Sequence, residues 1–244
     1  MQHAVARAVP ADMADRLIVA LDVPSIAQAR DLVARIGDTV RFYKVGYWLL
    51  YSPGAEALIA DIKSAGKRLF LDAKLHDIPQ TVEIGAARAA ERGVDLLTVH
   101  AEPAVMQAAV KGAAGSAMKV FGVTVPTSLD DADLAEIGYR MGVAELVARR
   151  ARQAADAGCH GIIASPDDKP AKLRQAAGAP TLLIATPGIR PAGDAAGDQK
   201  RIATPGQAIA DGSDYLVVGR PVVAKPDPGA AAAAIIAEMR AGAA

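Results

Sequence analysis

Eight short runs of apolar and β-branched residues punctuate the chain, at 17–22, 40–45, 68–72, 94–100, 120–125, 161–165, 182–186 and 215–219. Each run is continuous rather than alternating, the pattern of a strand buried on both faces. Segments with helical spacing fill the intervals, at 25–36, 55–64, 79–91, 103–113, 132–157, 168–177, 207–211 and 229–241. Pro79 and Pro103 open two of them, and Gly66 and Gly93 lie just past the ends of others. Proline suits the first helical turn and glycine the position beyond the last. The long span 132–157 predicts two helices, broken near Gly138 and Gly142.

Strict alternation of strand and helix implies a parallel sheet with crossover helices. Eight such units predict an α/β fold closed as a (β/α)₈ TIM barrel. The length, 244 residues, is near the roughly 250 typical of that fold. No linker or composition break divides the chain, so 1–244 is expected to form one domain, with 1–15 as an N-terminal extension.

Charge narrows the function. Lys plus Arg number 27 and Asp plus Glu number 27, so the formal net charge is zero. A nucleic-acid footprint needs a basic excess or stripe, and none is expected here. An anionic ligand must then be held by local charge rather than by a global field. The one cysteine, Cys159, excludes an intrachain disulfide. Residues 1–15 are Ala-rich, are interrupted by Asp12 and Asp15, and lack the apolar core of a secretory signal. No apolar run is long enough to span a bilayer. These features predict a cytoplasmic protein without a membrane partner.

In barrels of this kind the chemistry sits at the C-terminal ends of the strands. There the sequence places Asp22, Lys44, Asp72-Ala73-Lys74, Asp77, His100, Thr127-Ser128, Arg190 and Gly219-Arg220. Unpaired charges buried at strand ends are costly, so a set converging on one face points to a site. The sharpest group is Asp72-Ala-Lys74-Leu-His-Asp77. Alternate residues on a strand share a face, so Asp72 and Lys74 are both expected to point into the mouth. Two carboxylates flanking an ammonium form a preorganised dipolar site. Phosphate sites in such barrels lie in the loops after the seventh and eighth strands. Gly219 would let backbone approach an anion, and Arg190 and Arg220 could fork onto its oxygens. The Gly-, Ala- and Asp-rich segment 191–198 is expected to form a lid.

These residues resemble the orotidine 5′-phosphate decarboxylase family from Leu17 to the final helix. The matching strings are Val19-Ala-Leu-Asp-Val23, Lys44-Val-Gly46, Phe70-Leu-Asp-Ala-Lys-Leu-His-Asp-Ile-Pro79, Val99-His-Ala101, Val123-Thr-Val-Pro-Thr-Ser128, Thr186-Pro-Gly-Ile-Arg-Pro191, Gly197-Asp-Gln199 and Val218-Gly-Arg-Pro221. The resemblance implies conversion of orotidine 5′-phosphate to uridine 5′-monophosphate (UMP) in pyrimidine biosynthesis, with no cofactor and no metal. It implies that Lys74 donates a proton to C6 of the pyrimidine, with Asp72 and Asp77 flanking it and Lys44 completing the array. Asp22 and Lys44 are implied to hold the ribose hydroxyls. Thr127 and Ser128 are implied to read the pyrimidine edge. Gln199, Arg220, Arg190 and the backbone near Gly219 are implied to grip the phosphate. Asp77 and Thr81 are implied to come from the neighbouring subunit of a homodimer. His100 is placed near the site without a catalytic role. Ala73 departs from the larger aliphatic residue frequent in the family, and removes no functional group.

Two other readings remain open on sequence. One is a metal-dependent sugar-phosphate lyase or aldolase of the same superfamily, whose carboxylates help hold Mg²⁺. Such relatives place a metal-binding Glu at the end of the second strand, where this chain has Lys44. The other is a non-catalytic nucleotide-phosphate binder on the same barrel, which would have no need of Lys74 between two carboxylates.

Overall fold

The computed structural model describes residues 7–194 and 201–243. Eight parallel strands close into a barrel in sequence order. They are β1 (Leu17–Ala20), β2 (Phe42–Val45), β3 (Arg68–Leu75), β4 (Leu96–His100), β5 (Lys119–Val123), β6 (Gly161–Ile163), β7 (Leu183–Thr186) and β8 (Tyr215–Val218). The helices are α1 (Ile26–Ile36), α2 (Tyr47–Leu50), α3 (Ala55–Ser64), α4 (Pro79–Glu91), α5 (Pro103–Gly112), α6 (Asp131–Ile137), α7 (Val143–Asp156), α8 (Pro170–Ala177), α9 (Pro205–Ala210), α10 (Arg220–Val223) and α11 (Pro228–Ala241). The TIM-barrel expectation therefore holds. The break expected within 132–157 is real: α6 ends at Gly138 in the left-handed region and α7 starts after Gly142.

Two apolar layers hold the barrel. Ile18, Phe42, Phe70, Leu96, Phe121, Leu183 and Tyr215 fill its interior. Their strand neighbours, such as Leu17, Val19, Tyr43, Leu69 and Leu97, join the larger core with the helices. Opposite faces of one strand thus feed different layers, as strand alternation requires. Burial of both layers removes most of the apolar surface from water, at roughly 25 cal/mol per Å².

The seam between β1 and β8 pairs Leu17 with Leu216 and Val19 with Val218. An ionic knot reinforces it at the end of the barrel where the strands begin. Arg16 donates to the backbone oxygens of Asp214 (2.8 Å) and Ser213 (2.7 Å). The buried Asp214 carboxylate pairs with Arg174 at 3.1 Å and Arg7 at 3.2 Å, and accepts the Ile184 N–H at 2.7 Å. Charge at this end serves the scaffold, since such barrels carry their chemistry at the other end.

Most strands end within a residue or two of expectation, but β3 continues to Leu75 instead of stopping at Asp72. Its pairing with β4 slips: Leu71 faces Leu97, whereas Leu75 faces Val99. Two extra residues of β3 are therefore extruded over the barrel mouth. Lys74 lies in this bulge with φ +42°, a left-handed conformation unusual for a residue with a Cβ.

Candidate active site

The strand ends bring four of the expected residues into one line of alternating charge. The Lys44 ammonium donates to Asp22 Oδ1 at 2.9 Å and lies 3.3 Å from Asp72 Oδ2. The same Asp72 oxygen pairs with Lys74 Nζ at 2.8 Å. Lys44 and Asp72 are buried, whereas Lys74 opens toward solvent at the mouth. A side chain at position 46 would put its Cβ 3.3 Å from the Lys44 ammonium, a tight approach that Gly46 avoids.

Electrostatics favour the charged forms of Lys44 and Asp72 at the centre of this array. Burial alone would lower the Lys44 pKa, but the carboxylates of Asp72 and Asp22 outweigh it and raise the pKa above the usual lysine value. Burial would raise the Asp72 pKa, yet Lys44, Lys74 and the hydrogen bonds from Lys74 and Thr98 hold it below the ordinary aspartate value.

Asp72 and Lys74 do share a side, as expected, but strand alternation is not the reason. The bulge re-aims Lys74, and Thr98 on β4 holds it there. The Thr98 hydroxyl donates to Asp72 Oδ1 at 2.8 Å and accepts the Lys74 N–H at 3.1 Å. Thr98 is fully buried. Tyr47, on the short helix α2, supports the bulge from the other side. Its hydroxyl donates to the Ala73 carbonyl at 2.7 Å, and its ring lies 5.7 Å beneath the Lys74 ammonium. Neither residue was expected from the sequence. The available signal for Thr98 was a lone hydroxyl in the apolar run Leu96-Leu-Thr-Val, on the strand beside β3.

Asp77 stands apart from the array. It lies past the end of β3, exposed, and its side chain accepts the N–H of Ile78 at 2.6 Å. It makes no ion pair with another described residue. Thr81 is exposed on the first turn of α4. Nearby, His76 contacts Glu102 at 3.0 Å, and its ring lies 4.8 Å from that of His100.

Thr127 and Ser128 occupy the centre of a turn after β5, closed by the Leu129 N–H on the Pro126 carbonyl at 3.0 Å. Arg190 is buried after β7, and its guanidinium donates to the Ile189 carbonyl at 2.7 Å. Gly219 and Arg220 start α10, a four-residue helix after β8 that the sequence pattern did not reveal. In (β/α)₈ barrels a short extra helix at this place commonly borders a phosphate site. Gln199 and residues 195–198 of the expected lid lie outside the described residues. Among the described residues no three His, Cys, Asp or Glu side chains converge as a metal-ligand set.

Comparison with known proteins identifies relatives over nearly the whole chain. The model of the orotidine 5′-phosphate decarboxylase / HUMPS family matches residues 15–235. The chain belongs to this family. It is 54% identical over 230 residues to the orotidine 5′-phosphate decarboxylase of Afipia carboxidovorans, covering 94% of this chain and 97% of the relative. It is 55% identical over 229 residues to that of Methylorubrum extorquens, with the same two coverages of 94% and 97%. The crystal structure of orotidine 5′-phosphate decarboxylase from Lactobacillus acidophilus superposes with a TM-score of 0.81 at 36% identity, covering 92% of this chain and 99% of that one. Among the described residues no helix is long and apolar enough to cross a membrane.

Proposed function

We propose that this chain decarboxylates orotidine 5′-phosphate to UMP, working as one barrel domain over 1–244. The observation that carries the reading is the Asp22–Lys44–Asp72–Lys74 array at the barrel mouth, in a chain of the decarboxylase family. Loss of CO₂ from C6 leaves a lone pair in the plane of the pyrimidine ring, where the π-system cannot delocalise it. A cationic proton donor beside C6 answers that need, and Lys74 is placed to be one.

Asp72 then lies next to the departing carboxylate. Two like charges about 4 Å apart repel by roughly 4 kcal/mol at an effective dielectric near 20. That is about three decades of rate, against the roughly 20 kcal/mol or more of the largest enzymatic accelerations. Repulsion is therefore the smaller part. Carbanion stabilisation by Lys74 and binding energy from the distant phosphate supply the remainder.

Asp22 and Lys44 bind the ribose hydroxyls in this reading, Thr127 and Ser128 the pyrimidine edge, and Gln199, Arg190, Gly219 and Arg220 the phosphate. A divalent ion is not needed: the Lys44 and Lys74 ammonium groups already balance the charges of Asp22 and Asp72. The enzyme works in the cytoplasm as a homodimer, with Asp77 and Thr81 completing the partner's site. The exposed position of Asp77, away from its own Lys74, supports this sharing.

Purified protein incubated with orotidine 5′-phosphate should change the pyrimidine absorbance at a rate unaffected by EDTA. A rate lost on chelation and restored by Mg²⁺ would point instead to the metal-dependent lyase reading. Absence of any turnover would leave only a binding protein.

A further inference from the structure

Arg201 joins three loops on the catalytic face of the barrel. Its Nη1 pairs with Asp168 Oδ1, after β6, at 3.1 Å. Its Nη2 donates to the Pro126 carbonyl, after β5, at 3.3 Å. That carbonyl is also the acceptor that closes the turn carrying Thr127 and Ser128, through the Leu129 N–H. Asp168 is itself fixed, since its Oδ2 accepts the Ser165 N–H at 2.7 Å in a capping box. A second arginine, Arg150, holds the Thr124 carbonyl two residues upstream. The side chains of Arg201 and Asp168 are only 13% and 6% exposed, and Arg201 Nε is buried without a hydrogen-bond partner among the described residues.

A buried ion pair of this kind contributes little net stability, because desolvation offsets the attraction. It does impose geometry, since each charge can be satisfied in one arrangement only. Of the groups that Arg201 contacts, the Pro126 carbonyl is the one attached to a predicted ligand-reading segment. We infer that Arg201 and Asp168 are positioning residues for pyrimidine recognition: they set the height of the Thr127-Ser128 turn over the barrel mouth and so determine how tightly the base is held. The inference rests on the decarboxylase reading and on Thr127 and Ser128 meeting the base.

The test compares two ligands that share the phosphate and differ in the base. Calorimetric titration of UMP and of ribose 5-phosphate is carried out on the wild type, Arg201→Met and Asp168→Ala, with thermal unfolding as a check of the fold. Each variant should bind UMP about tenfold or more weakly, the effect of a lost charge-assisted hydrogen bond. Affinity for ribose 5-phosphate should stay within about twofold, on the same affinity scale. The double variant should be no worse than either single one, because both remove the same linkage. Should Arg201→Met fail to fold, Asp168→Ala still decides the question. Equal weakening of both ligands would overturn the inference, since Arg201 would then act on the phosphate side. Unchanged UMP affinity would overturn it too. Wild-type protein that does not turn over orotidine 5′-phosphate would defeat the functional reading itself, a result independent of the variants.

Discussion

Thr98→Val removes one hydroxyl and almost no volume, and it should reach the centre of the candidate site. The Thr98 oxygen serves both members of the Asp72–Lys74 pair, donating to the carboxylate and accepting the Lys74 N–H. Valine would leave that part-buried N–H unpaired, at up to about 1–3 kcal/mol, and take a charge-assisted bond worth about 1.5–3 kcal/mol from Asp72. Asp72 keeps Lys44 and Lys74, so partial relaxation should bring the total to roughly 2–4 kcal/mol. In a chain of this length each kcal/mol lowers Tm by about 2–4 °C, giving a fall of roughly 5–15 °C. The kinetic effect follows from the backbone. A left-handed lysine costs about 1–3 kcal/mol and persists only where its surroundings hold it. Without its acceptor the bulge should relax and carry Lys74 off line, and a displacement near 1 Å can cost about a hundredfold in rate. Thr98→Ser keeps the hydroxyl and should retain both properties. Steady-state decarboxylation and thermal unfolding measure the two effects. A valine variant with kcat within about threefold of wild type, near 0.6 kcal/mol, would refute the reasoning.

Lys74→Ala should lower kcat by several decades while UMP still binds, so a variant retaining about a tenth of the wild-type kcat would remove Lys74 from its role. A mixture of Lys74→Ala and Asp77→Ala proteins, each nearly inactive alone, should recover about a quarter of the activity per site after subunit exchange, because half the dimers then hold one intact shared site. Confirmed exchange without recovery would rule out sharing. Acidification should destabilise the fold below about pH 6.5. His160 and His100 both have lowered pKa values, from burial first and then from Lys119 and from His76 respectively. Their neutral forms therefore contribute stability that is complete above pH 6.5 and lost as pH falls through the lower folded value; Val120 N–H donating to His160 Nδ1 at 3.2 Å is the bond at stake. A Tm that is flat between pH 7 and 5, or a slope unchanged in His160→Gln, would count against this.

What the sequence revealed follows a physical division. Strand and helix order, the barrel and the charged strand ends were legible because each is written in local periodicity or residue type. Asp22, Lys44 and Asp72 met where fold class placed them, and Lys74 joined them through the bulge rather than through alternation. Thr98 and Tyr47 were not legible, because their importance lies in two contacts made across strands. The bulge in β3 was hidden for the same reason: a register slip depends on both partners, and Ala73-Lys74 carries no glycine to announce it. The short helices α2 and α10 span four residues each, too few to display a helical period.

The seam between the first and last strands has a consequence for synthesis. Arg16 and its acceptor Asp214 are 198 residues apart. A ribosome adding about 5–20 residues per second needs roughly 10–40 seconds to cover that distance. Throughout that interval the β1 edge beside Leu17 and Val19 has no partner, and an unpaired apolar edge invites pairing with another nascent chain. Closure of the ring thus waits until β8 has been made, and weakening the Asp214 knot should reduce the yield of soluble protein more than the activity of the molecules that succeed in closing.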